Sequence, residues 1–439
     1  MLTVAVAVTS LVGCSKDDED DPIVTPPTNT VLSGSITESK TLTADKVWTL
    51  KGYVYVANGA TLTIEPGTTI VSDVTEKGAL CVERGAKLMA NGTPDKPIVF
   101  TSGKAAGSKA PGDWGGIVLL GKAKTNRSST PVIEGGLDRP YGGDDDNDNS
   151  GSLKYVRIEY AGVAAFPNSE INGLTLGGVG KGTTLDHIQV VYGNDDAYEF
   201  FGGTVDAKHL VAYATADDDF DFDFGYRGRI QFAVALRDPL FIDPADQGNG
   251  VESDNDGSGT SAAPFTHPVL SNFTWIGPNN ASGTLANHSY GNKWRRASQF
   301  EVYNSVMLGW QKGGFDLEND PTVQAYKDNV SKFKNNVVHA NASADIFRVA
   351  SSTIMTAAEV EAKAVADGNV KLTDPANVLT APFNLTNPNL TPVASGPAAG
   401  GASFAGLDAG FFTPTTYKGA IGGGDNWLQG WTRFPAKGQ

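Results

Sequence analysis

The residues with the most obvious chemical potential are carboxylates crowded into one stretch. From Leu185 to Gly225 the chain reads LDHIQVVYGNDDAYEFFGGTVDAKHLVAYATADDDFDFDFG, which lays on itself at an offset of 22 residues. His187 then falls on His209, Asp195 on Asp217, Asp196 on Asp218, Tyr198 on Phe220, Glu199 on Asp221 and Phe200 on Phe222, while Ile242 and Asp243 continue the last rows as a fainter third copy. If the repeat is one turn of a coil, equivalent positions stack at about 4.8 Å. Acidic columns at that spacing repel unless a cation or protons intervene. Asp195, Asp196, Asp217 and Asp218 are therefore candidate calcium ligands. Asp217, Asp219, Asp221 and Glu199, with Arg227 just downstream, are the residues that would carry acid and base roles if the protein cleaves a polysaccharide. In Asp219-Phe220-Asp221-Phe222-Asp223-Phe224 strict alternation predicts three Phe inside and three Asp outside.

Two further acidic runs have the rhythm of a calcium loop, with oxygens at alternate positions before a glycine. One carries Glu252, Asp254 and Asp256 before Gly257; the other carries Asp144, Asp146 and Asp148 before Gly151. The closing glutamate expected six residues after the glycine is missing from both, since those positions hold Ala263 and Arg157. A solvated acidic loop explains either run equally well. His187 and His209 invite a metal reading, but without an accompanying His-rich tract their expected role is that of ladder residues beside a strand. Gly177-Gly178-Val179-Gly180-Lys181-Gly182-Thr183 fails as a phosphate loop because Gly182 interrupts the required Gly-Lys-Thr. Trp114, Trp275, Trp294 and Trp310 could stack on sugars, although core packing is the expectation for each.

These groups need a scaffold that repeats. Across 439 residues, Gly occurs 52 times and Pro 23 times, only 19% of residues are charged, and helical periodicity is scarce. A repeat of 20 to 30 residues rich in strand formers marks a β-solenoid. The fold class read here is all-β, a right-handed parallel β-helix with coils of about 22–26 residues and a small C-terminal capping region. The same period links Gly59 to Gly85 and Gly67 to Gly92 near the N-terminus. Asn272, Asn304, Asn335 and Asn336 are expected to satisfy backbone groups where coils bend. Thr356-Ala357-Ala358-Glu359 reads as a capping box opening a short helix over 357–366.

The expected organisation is a lipoprotein signal peptide over 1–13, an acidic then Pro- and Thr-rich tether over 14–30, the β-helix over 31–340, and a C-terminal cap with a short helix and loops over 341–439. Leu11-Val12-Gly13-Cys14 resembles a bacterial lipobox, which makes Cys14 the expected lipidation site and the membrane a partner through a lipid anchor. Cys81, the other of the two cysteines, is expected to be a buried free thiol. A net charge of −15 argues against nucleic acid, whose phosphates demand a basic patch. Calcium is the one cofactor the residues suggest, and no organic cofactor is called for.

The runs GATLTIEPGT (59–68), GTPDKPIVFTS (92–102), GDWGGIVLLGKA (112–123) and LKYVRIEYAG (153–162), with the ending from Phe411 to Phe434, resemble Bacteroidota-type outer-membrane surface lipoproteins with right-handed parallel β-helices. The resemblance implies a fold and a place at the cell surface, and brings no catalytic residues. Taken together, the expectation is a lipid-anchored binding protein for a glycan or an outer-membrane partner. The alternatives are a calcium-assisted polysaccharide lyase or hydrolase, and a structural adhesin or accessory subunit of an uptake complex.

Overall fold

The computed structural model describes residues 30–128, 130–166, 169–342 and 344–439; the expected signal segment, Cys14 and the expected tether apart from Thr30 lie outside them. Strands from Thr30–Ile36 to Val370–Leu372 join in one 26-stranded sheet whose pairings are all parallel, so the chain is a parallel β-helix. Parallel neighbours cannot be joined by a tight hairpin; each strand pairs instead with its equivalent one coil later. Ile188 pairs with Leu210, Tyr198 with Phe220, Glu199 with Asp221 and Phe200 with Phe222, the register of the 22-residue repeat. The third copy differs. Asp221 pairs with Glu252 rather than standing over Asp243, because the segment after Arg237 leaves the coil and Asp243 caps a turn at the Ala216 carbonyl. Similar excursions lengthen several coils well beyond 26 residues, the longest separating Ala90 from its partner Leu153. The ladder also continues past the expected limit at 340, through Val370–Leu372.

Inside the coil runs an apolar column that includes Tyr198, Phe200, Phe220, Phe222, Trp275, Trp294 and Trp310, all fully buried. Rings stack coil on coil, with Tyr198 and Phe220 at 5.1 Å and Phe200 and Phe222 at 5.2 Å. Each such side chain contributes about 1.5–3 kcal/mol by leaving water. All four tryptophans weighed as sugar platforms are core residues. Gly59 and Gly85 sit one above the other with φ of 76° and 87°, where any Cβ would be strained. Cys81 is a buried free thiol pushed up to about 12 by that burial, and chemically inert.

Two lateral surfaces matter for function. One is built on Tyr198–Gly203, Phe220–Asp223, Glu252–Ser253, Tyr290–Trp294 and Gly313–Glu318. The other is built on Gly151–Glu159, Thr184–Val191, Ala207–Tyr213, Arg229–Leu236 and Val269–Ile276. On the second, every coil places one residue in the left-handed region: Tyr155, His187, His209, Phe232, Asn272, Asn304 and Asn335, with φ between 49° and 62°. This recurrent bulge turns a column of side chains out of the sheet.

The C-terminal region splits in two. Helix α1 (Asp320–Lys327) and helix α2 (Ala357–Ala366) lie late in the coil; α2 opens with the full Thr356/Glu359 capping box. The expected terminal cap is only part of the picture, because residues 403–439 run as a strap along the second surface. Its amide column draws them there. Gln189, Gln231 and Asn304 each pair their amide with a strap backbone N–H and C=O, at Arg433, Thr413 and Ser403 respectively, with all six contacts between 2.8 and 3.0 Å. Asn272 donates to Thr415 Oγ1 at 3.0 Å, Arg157 to the Trp431 carbonyl at 2.9 Å, and Tyr160 to the Gln439 carbonyl at 2.5 Å.

Candidate functional site

On the first surface the register builds one continuous outward column: Thr175, Glu199, Asp221, Glu252, Lys293, Asp316, Arg348. With Phe220 and Phe222 fixed inward, Asp221 and Asp223 must face out. At the corner just before these strands lie Asp195, Asp196, Asp217 and Asp218. Ligating atoms of Asp195, Asp196 and Asp217 all fall within 4.8 Å of one another, and so do those of Asp196, Glu199 and Asp221. The two triads share Asp196. Backbone amides hold the corner in place: Asp218 N–H donates to Asp196 Oδ1 at 2.8 Å, and Asn249 N–H to Asp218 Oδ1 at 2.5 Å. Asn172 donates its amide to Glu199 Oε2, while Asp221 Oδ1 is buried without a hydrogen-bond partner.

Burial first, and mutual repulsion second, push Asp196, Glu199, Asp217, Asp218 and Asp221 well above the usual carboxylate range. For Glu199 the neighbour that adds most is Glu134, brought in by the loop after Ser128. Such a group can share protons or take a cation. Hard oxygen donors at this density suit calcium, and the residues present fit it.

Asp219 departs from the expected alternation. It lies inside, completely buried, because it precedes the strand and accepts at the corner from Thr215 Oγ1 at 2.8 Å and from Arg237 Nε at 3.1 Å. Burial still pushes its carboxyl up to about 6. Asp219 is thus a structural anion, out of reach of any ligand. Phe224 also leaves the inward column: at φ 48° it swings out to stack on Phe201 beneath the Arg127 guanidinium.

The remaining expected residues are spoken for. Glu252 pairs with Lys293 at 3.1 Å and with Arg295; Asp254 holds Arg295 at 2.9 Å and Arg296 at 2.6 Å. Asp256 accepts from the amides of Ser258 and Thr260 in its own turn, and Glu252, Asp254 and Asp256 do not converge as a group. Asp146 is bound at 2.6 Å by Arg227, which stands away from the acidic corner; Asp144 is exposed and Asp148 buried, and the three do not converge. Sequence reasoning missed Asn172, Glu134, Asn249 and the cations Lys293 and Arg295, which insertions carry far from their partners. A cleft of about 430 Å³, lined by Ser258, Arg295, Arg296, Glu318 and Asn319, opens beside that cationic end.

Fold and site together define a parallel β-helix protein with an acidic lateral surface and a cationic end. Residues 34–380 match the family described as pectate-lyase like beta helix domain, and since the match covers more than half of the chain, the protein belongs to that family. No curated protein and no solved structure matches the chain.

Proposed function

We propose that the protein binds a glycan chain along the acidic surface, with calcium held by Asp195, Asp196, Asp217, Glu199 and Asp221 as the bridge to sugar oxygens. The reading rests on the two carboxylate triads sharing Asp196, one of which includes an Asp221 oxygen with no partner of its own. The cleft beside Arg296 offers a polar wall for a sugar further along the coil.

Binding is favoured over cleavage by the state of the nearby bases. A lyase needs a neutral Lys or Arg to take a proton. Burial opposes the charge on Lys293 and Arg295, yet Glu252 and Asp254 outweigh it and hold both cations charged. Hydrolysis by inversion needs carboxyls about 6.5–9.5 Å apart to admit water, and retention about 5–5.5 Å; Glu199 and Asp221 approach within 4.8 Å, which disfavours the inverting route alone. The alternative of a calcium-assisted lyase or hydrolase stands on the same triads. At the expected lipidation site, Cys14, an acyl chain would hold the coil at an outer membrane, with an adhesin or uptake-complex role as the further alternative.

The test is a panel of acidic and neutral polysaccharides incubated with purified protein, with and without calcium, scoring both co-sedimentation and chain length. Calcium-dependent retention of intact chains supports the proposal. Calcium-dependent shortening makes the protein an enzyme, and absence of both removes the glycan reading.

A further inference from the structure

Asp186, His187 and His209 lie on the opposite, strap-covered surface and take no part in the acidic groove. The 22-residue repeat places the two histidines one above the other, and the left-handed bulge, φ 55° at each, turns both imidazoles the same way. Their ring centroids are 4.2 Å apart, and both Nδ1 atoms reach the same oxygen: Asp186 Oδ1 lies 2.9 Å from His187 and 2.7 Å from His209. Only the second contact has hydrogen-bond geometry. His187 Nδ1 is buried and left without a hydrogen bond, although a carboxylate oxygen is beside it. The register neighbours of Asp186 are Lys154 and Lys208, yet its ion-pair contacts are with the imidazoles.

We propose that Asp186, His187 and His209 form a transition-metal site of the zinc class, chemically distinct from the calcium-type groove. Two imidazole nitrogens and a carboxylate are a common donor set for zinc and its first-row neighbours, whereas calcium takes oxygen ligands. Ligand atoms on one tetrahedral zinc lie about 3.3 Å apart. The present contacts therefore open by roughly half an ångström as the rings turn to aim their lone pairs at the ion. The surroundings exclude bulk solvent from most sides. Tyr155 and Phe232 cover the two ends of the imidazole stack, at 4.3 and 5.3 Å, and Trp427 and Trp431 of the strap meet it edge-on. Asp186, its side chain 31% exposed, faces the opening through which water completes the coordination. The nearby Lys208 ammonium is drawn aside to Thr413 Oγ1 at 3.1 Å.

The test titrates cobalt(II), and separately copper(II), into the full-length protein with calcium in excess, so that the acidic groove is already supplied with its preferred ion. Visible absorption of cobalt reads coordination by nitrogen, and quenching of Trp427 and Trp431 by copper reads proximity. Expected are one equivalent of saturable binding, a loss of affinity of about tenfold or more in His209→Gln and in Asp186→Asn, and unchanged binding in Asp196→Asn. Circular dichroism confirms that each variant is folded. Absence of saturable binding in the parent protein, or affinity in His187→Gln and His209→Gln unchanged from that of the parent, overturns the site.

Discussion

The two lateral surfaces are made by the same coils and have opposite electrostatic characters. On the groove, carboxylates face one another and burial raises their pKa. On the strap-covered surface, carboxylates meet donors. Burial alone would raise Glu301, but the His267 imidazole at 3.7 Å and hydrogen bonds from Tyr303 and Lys332 bring it down to about 2, and the two imidazoles beside Asp186 hold that carboxyl well below the usual range. The contrast comes from the corner geometry. A bulge on one surface aims His, Asn and aromatic side chains at the strap, while the other surface stays regular and stacks like on like. One face pairs its carboxylates with donors from the chain; the other crowds carboxylates against one another at its acidic corner.

The largest effect is expected from breaking the groove from within. Arg237→Ala strands the buried Asp219 carboxylate and costs about 3–5 kcal/mol, read as a lower Tm or denaturation midpoint. Asp219→Asn in the same background should recover part of that loss.

Next is the cation itself. Calcium at about a hundred times its Kd stabilises by about 2.7 kcal/mol through mass action, and Asp196→Asn, which removes the ligand common to both triads, should abolish that gain while raising the Tm measured in chelator. The pH dependence sharpens the same point. Groove carboxyls whose folded pKa exceeds the unfolded value of about 4 favour folding most below that value, and their contribution is lost as pH rises through the raised folded values. Glu301 and Asp186 behave oppositely: they stabilise above about pH 4 and lose that contribution in acid. Chelated protein should therefore melt progressively lower as pH climbs from 5 to 8, and calcium should flatten the slope. An unchanged slope with calcium would remove the groove as the source.

On the strap-covered surface, Asn272→Ala removes the donor to Thr415 and should cost about 1–2 kcal/mol, independent of calcium. Smallest is Thr356→Ala at the cap of α2, about 1 kcal/mol, with no effect on either surface.

The coil was legible because its repeat is written directly into residue types: Tyr198 over Phe220 and Glu199 over Asp221 require no long-range knowledge. The proximity of Asp195, Asp196 and Asp217 followed from the same alignment. What could not be read has a common cause in the corners. Whether Asp219 points in or out depends on where the strand begins, one residue later, and on Arg237, which alternation does not see. Glu252 pairs with Lys293 across an insertion that hides the period. The strap carries no periodicity at all, because its partners are single amides such as Gln231 and Asn304, matched to backbone far along the chain.

That strap has a mechanical consequence. A solenoid transmits load only between adjacent coils, so tension at one end would peel it turn by turn. Here the last residues are stitched to coils from Asn304 back to Tyr160. A pull on the last residues is then borne first by these side-chain stitches, loaded one after another like a zip, each passing its load into a different coil of the ladder.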